Sequence, residues 1–265
     1  MANQHEKCTG ALLRPIISTR GIFIMQSGSA TELTQAVVDD RLKYDREVQA
    51  EIGKPYSVFA KVYRMVPSGI DVLDVGCHTG KFGAVLKQKG CRVSGLEIDA
   101  AAAELAKARL DAVRVGNVET PDIFESFETK FDAILFLDSL EHCQWPGEVL
   151  KRARAFLTPQ GFLIASIPNV ANWSIRTRLL FGKFEYESTG LMDESHLRFY
   201  TIKTARELFE AAGYTIEAVD HRFSLPVFRL RKFFGGMLAK VLGRLFPGLF
   251  SYQMIIKARP TASSR

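Results

Sequence analysis

None of the 265 residues belongs to a run of 18 uncharged apolar positions, so no membrane-spanning helix is expected. Cysteine is scarce. Cys8, Cys77, Cys91 and Cys143 have neither zinc-site spacing nor the density of a disulfide framework, and reduced thiols in a cytosolic protein are the simplest reading. There is no internal repeat, no low-complexity linker and no spaced cluster of His, Cys, Asp and Glu, so no metal is expected. Acids are missing from residues 221–265, which hold nine Lys and Arg. The remainder then carries 26 basic against 29 acidic residues, a net −3, so the overall charge of +6 belongs to this C-terminal segment. Such a segment suits anionic lipid or an acidic partner. No aromatic-rich nucleic-acid module accompanies it, and nucleic acid is not expected.

What is present is a strand, a glycine turn and a helix in Asp71-Val-Leu-Asp-Val-Gly-Cys-His-Thr-Gly-Lys-Phe-Gly83. Val72, Leu73 and Val75 read as a buried strand, Gly76 and Gly80 as the turn, and Lys81 as the start of an amphipathic helix. A second apolar strand, Arg92–Asp99, follows and ends in acids. Glycines let a ligand approach the backbone, and the helix start offers free N–H groups. An acid about 20 residues past the turn is placed for the two hydroxyls of a ribose. An adenosine-containing cofactor is expected. A nicotinamide turn has a middle glycine, and His78 stands in its place here.

The turn VLDVGCHTG resembles the first motif of class I S-adenosylmethionine-dependent methyltransferases. VSGLEID resembles their second-strand motif, VRVGNVE the third, FDAILFLDSLEH the fourth and GFLIASIPN the fifth, in family order. The likeness is nearest to the methionine-biosynthesis W and ubiquinone O-methyltransferase types. The stretch Ser166–Thr201 resembles bacterial methyltransferases associated with cell-surface glycan assembly. The resemblance implies an α/β, Rossmann-like sheet of seven strands, six parallel and the last antiparallel, with helices on both faces. It implies S-adenosylmethionine bound by Asp74, Gly76, Cys77, Gly80, Glu97, Ile98, Asn117, Val118 and Asp138. Here Glu97 would take the ribose and Asn117 would sit near the adenine edge. It also leaves open a non-catalytic, cofactor-binding partner subunit.

Alternating patterns place strands at 71–75, 92–97, 113–116, 131–137, 162–167, 214–219 and 252–258, and helices at 81–89, 100–110, 147–156 and 202–212. Residues 1–50 form a tail and a charged helix, with Met25 an alternative start. One domain spans 51–260, with a lid insertion at 170–200 and a basic amphipathic insertion at 224–250. Thr204–Glu207 has capping-box spacing, with Thr201 an alternative helix start.

Methyl transfer needs nucleophile, methyl and sulfur in line, and a base if the acceptor is a hydroxyl. Histidine as a residue type takes protons near neutral pH, and His142 and His196 are the candidates. His142 lies at the carboxyl edge of the sheet. His196 sits in a loop expected to fold back over the pocket. Structural hydrogen bonding is the plain alternative for both. Asn169, Trp173, Arg198 and Tyr200 are the candidate acceptor contacts. The acceptor is a small molecule, a glycan precursor or a lipid-like phenol.

Residues 230–246 carry apolar side chains at helical spacing with Lys232, Lys240 and Arg244 opposite. This stripe suits the inner membrane face through 229–246, packing on the sheet, or a homodimer.

Overall fold

The computed structural model describes residues 48–224 and 241–262. Residues 1–47, and the amphipathic segment up to 240, lie outside the described residues. Among the described residues two helices come first, α1 at Val48–Ile52 and α2 at Val58–Met65. Strands and helices then alternate as β1 Asp71–Val75, α3 Lys81–Gln88, β2 Arg92–Glu97, α4 Ala100–Lys107, β3 Ala112–Val115 and β4 Phe131–Leu137. After these come α5 Pro146–Ala155, β5 Leu157–Pro168, α6 Trp173–Leu180, α7 Ile202–Ala211, β6 Tyr214–Phe223 and β7 Ser251–Pro260.

The strands form one sheet in the order β3-β2-β1-β4-β5-β7-β6. β7 runs antiparallel to both β5 and β6, and the other pairings are parallel. This is the Rossmann-like, six-plus-one arrangement expected. The chain order reverses between β1 and β4, and such a switch point opens a crevice at the carboxyl ends of the strands.

Strand residues alternate between two hydrophobic layers. Leu73, Val75, Phe136, Phe209 and Tyr214 fill one layer, and Val72, Phe82, Val93, Leu135 and Ile164 the other. Each fully buried side chain of this size contributes about 1.5–3 kcal/mol. The Tyr214 hydroxyl, buried with the rest, donates to the Leu150 carbonyl at 2.9 Å, so this donor is satisfied.

Caps fix where the helices start. Asp99 accepts from Ala101 and Ala102 at the head of α4, and Asn172 accepts from Ser174 at the head of α6. Each such cap is worth about 1 kcal/mol. α7 begins with a reciprocal capping box between Thr201 and Thr204, not between Thr204 and Glu207. On α3, a Cβ at Gly83 would lie 2.5 Å from a Leu110 methyl and 2.9 Å from Val93, so glycine lets the helix lie close against β2. The lid insertion contains a helix, α6, that the sequence pattern did not suggest. β5 starts earlier than expected, because Leu157 pairs with Phe131 ahead of a bulge. Among the described residues, no helix is long and apolar enough to cross a membrane.

Candidate active site

The carboxyl ends of β1 and β2 carry the glycine turn and its acids. Gly76, His78 and Gly80 all adopt left-handed backbone, with φ of 75°, 49° and 76°. For His78 this conformation costs about 1–2 kcal/mol relative to glycine. Its N–H donates to Glu97 Oε2 at 2.7 Å, which ties the turn to β2. Glu97 Oε1 accepts from the Asp99 N–H at 2.9 Å. The carboxylate thus braces the turn and the start of α4 while keeping lone pairs for a ligand. Ile98, beside it, is 54% exposed, an apolar surface next to the acid. Asp74 is buried beneath, and burial, then the neighbouring Glu97 charge, pushes its carboxyl up to about 7. Cys77 is also buried, and burial pushes its thiol up, so it is no nucleophile. Its Sγ would lie 2.5 Å from a Cβ at Gly95, so the turn sits directly on β2. At the end of β3, Asn117 Oδ1 accepts from the Glu119 N–H at 2.8 Å, and Val118 packs on the core.

The end of β4 supplies a second group. Asp138 has φ of 54°, and its carboxylate accepts from Ser166 Oγ at 2.6 Å and from Gln253 Nε2 at 2.6 and 2.7 Å. These bonds clamp β4 to β5 and β7. Ser139, next in sequence, faces the turn: a Cβ at Gly76 would lie 3.2 Å from the Ser139 Cβ. Its buried hydroxyl has no hydrogen-bond partner among the described residues. Both carboxylate oxygens of Glu141 are likewise buried and unpartnered among the described residues. Burial, with the Asp138 charge adding, pushes the Glu141 carboxyl well above the usual range.

Residues 193–198 pack against this group. The Leu197 and Arg198 N–H groups donate to the Glu141 carbonyl at 2.9 and 3.0 Å. His142 Nδ1 lies 3.1 Å from the Ser195 carbonyl, and the His142 and His196 rings meet at 4.9 Å between centroids. His196 is 8% exposed, and burial followed by the His142 charge holds it below the ordinary histidine value. Asp193 shapes the loop by accepting from the Ser195 N–H and hydroxyl. One atom each from Glu141, His142 and His196 lie within 4.8 Å of one another, so a cluster able to hold a metal is present where none was expected. Its members come from two distant segments, and spacing along the chain conceals it.

A model of the methyltransferase domain matches residues 44–219. The chain belongs to that family. Its fold is that of solved class I methyltransferases: an S-adenosylmethionine-dependent enzyme of Archaeoglobus fulgidus (TM-score 0.56, 16% identity, 87% of this chain and 99% of that one). A possible histamine N-methyltransferase of Thermotoga maritima is similar too (TM-score 0.53, 19% identity, 87% and 96%). At such identity the likeness concerns the fold alone. Curated relatives include ubiquinone biosynthesis O-methyltransferases. That of Pseudomonas paraeruginosa is 32% identical over 38% of this chain and 46% of its own length. That of Bradyrhizobium diazoefficiens is 34% identical over 40% and 42%. The chain thus spans less than half of these relatives. Family and fold imply S-adenosylmethionine as the methyl donor.

Within this methyltransferase domain, the remaining candidate contacts hold the lid. Asn169 is fully buried, donating to the Ser251 carbonyl at 2.8 Å and accepting from the Ala171 N–H. Trp173 Nε1 donates to the Ser224 carbonyl at 2.8 Å. Arg198 donates to the Gln144 carbonyl at 2.7 and 3.1 Å and lies over the Trp145 ring. Tyr200 is buried, which pushes its phenol up to about 12. Ser139 and Gln253 were missing from the sequence reading. A hollow of about 500 Å³ lined by Arg176, Lys203 and Arg206 shares no residue with the glycine turn.

Proposed function

We propose that the domain transfers the methyl group of S-adenosylmethionine to a hydroxyl of a small-molecule or glycan-precursor acceptor. Glu97 takes the ribose, Ile98 walls the adenine, and the turn at Gly76–Gly80 lies along the methionine part. The reading is carried by the pair His142 and His196, which meets at the carboxyl edge of β4 beside the switch point. In the reaction the acceptor oxygen forms a bond to the methyl carbon as the carbon–sulfur bond breaks. The electron pair returns to sulfur, and the hydroxyl proton leaves at the histidine pair. Positioning supplies much of the rate, because the sulfonium is already activated.

Replacing His142 or His196 by Ala should lower turnover by about 10²–10⁴, the usual contribution of a positioned base. Affinity for S-adenosylhomocysteine should stay unchanged. Methyl transfer from labelled S-adenosylmethionine to a panel of phenolic and sugar hydroxyls, with calorimetry alongside, makes the test. Full turnover in both single variants would leave positioning alone as the mechanism.

A lipid-like phenol is the second reading, in keeping with the ubiquinone-pathway relatives. It is favoured by exposed apolar side chains on the lid: Leu180 and Phe181 are 81% and 72% exposed, and Phe184 and Tyr186 lie nearby in sequence. The acid-free segment 221–265 adds charge complementary to anionic lipid. Vesicles rich in anionic lipid should then sediment the protein, and salt should release it, since each basic group near such a surface contributes about 1 kcal/mol. Asp at Leu180 and Phe181 should weaken the binding. Equal sedimentation with neutral and anionic vesicles, or none, rejects this reading.

A further inference from the structure

The Glu141 carboxylate poses a question that base catalysis alone leaves unanswered. It is 1% exposed, and among the described residues neither of its oxygens has a hydrogen-bond partner. Buried acids are normally paired or bound to a metal. His142, one of two histidines nearby, is oriented as metal ligands usually are. Such ligands hold one ring nitrogen on a backbone carbonyl or carboxylate, which leaves the other nitrogen's lone pair free for the ion. His142 Nδ1 sits 3.1 Å from the Ser195 carbonyl, which leaves Nε2 free. One ligand atom from each of the three residues falls within 4.8 Å of the others, so small side-chain movements bring all three onto one ion.

We propose that Glu141, His142 and His196 form a binding site for a divalent transition-metal ion of the zinc type. Two imidazoles and one carboxylate suit zinc and its neighbours better than magnesium or calcium, which prefer all-oxygen shells. Three protein ligands leave a position open, the arrangement of catalytic and not of structural zinc. Its catalytic use rests on the hydroxyl-acceptor reading above. An acceptor oxygen in the open position would give up its proton to solvent more readily, because the ion stabilises the oxyanion. With the imidazole lone pairs on the ion, solvent and not the histidine pair takes the hydroxyl proton; the oxygen–methyl bond still forms as the carbon–sulfur bond breaks and its electron pair returns to sulfur. The binding site itself does not depend on that reaction.

Calorimetry of the chelator-treated 265-residue chain with Zn²⁺, and visible absorption with Co²⁺, tests the site without any acceptor. One equivalent of Zn²⁺ should bind, and Co²⁺ should give ligand-field bands displaced by Zn²⁺. His142 is exposed, so His142→Ala should fold normally and weaken Zn²⁺ binding on the order of a hundredfold. Glu141→Gln should weaken it similarly, while His221→Ala, outside the cluster, should not. Absence of Zn²⁺ and Co²⁺ binding to wild type overturns the site. So does binding to His142→Ala and His196→Ala at wild-type affinity, which would put the ion elsewhere. Loss of turnover in the histidine variants of a protein that binds no metal overturns the site while keeping the base reading. Stoichiometric metal without methylation of any hydroxyl keeps the site and removes the reaction.

Discussion

In the Glu97→Ala variant, affinity for S-adenosylhomocysteine should fall by at least ten- to 150-fold, roughly 1.5–3 kcal/mol for one charge-assisted hydrogen bond. The loss should tend to the upper end, because the carboxylate does two things at once. It offers lone pairs to the ribose hydroxyls, and it accepts from the N–H groups of His78 and Asp99. Alanine therefore orphans two backbone donors and releases a turn whose left-handed residues are held by those bonds. Glu97→Gln separates the roles. One amide oxygen can still accept, but the –NH₂ opposes a backbone N–H, so binding should fall nearly as far. Calorimetry on variants with wild-type circular dichroism reads the result. Unchanged affinity in folded Glu97→Ala would sink the ribose assignment.

The cofactor half of the site was legible in the sequence because it is local. Strand, turn, helix and the acid ending the next strand lie within 71–99, and their chemistry follows from their order. The seventh strand's placement came through family resemblance; spacing alone does not show that β7 runs antiparallel between β5 and β6. That placement brings Gln253 to Asp138, so this carboxylate ties β4 to β7. The other half of the site was not legible. His142 and Ser195 are 53 positions apart, and only the folded lid shows that the Ser195 carbonyl orients the ring. α6 escaped notice for a similar reason. Its Leu179, Leu180 and the following Phe181 are exposed and give no inward-facing stripe. The Glu141 carboxylate reads as one more acid in LDSLEH. Its isolation appears only when every buried oxygen is followed to its partner.

Asp74 should make the free protein lose stability as pH rises from about 4 to about 7. Its carboxyl is raised from 3.8 to about 7 in the fold, by burial first and by the Glu97 charge second. Between these values the native state holds a proton that the unfolded chain has given up. Stability varies as the protons bound by the unfolded state minus those bound by the native state, so it falls with rising pH across this window. At 1.36 kcal/mol per unit, the loss attributable to Asp74 is about 4 kcal/mol, complete once pH passes the folded value. Asp74→Asn keeps the shape and cannot ionise. Denaturant melts of both proteins at several pH values isolate the effect, because all other groups are common to the two. The variant should gain stability relative to wild type steadily between pH 4 and 7 and hold that gain at pH 8. The positively charged cofactor should act in the opposite sense. Its ammonium and sulfonium favour the ionised carboxylate, so binding near pH 6 should release a proton from wild type and none from the variant. Calorimetry in buffers of different ionisation enthalpy measures that proton. Parallel stability curves together with buffer-independent binding heats in wild type would show that Asp74 is ionised throughout and that its burial is compensated by a partner.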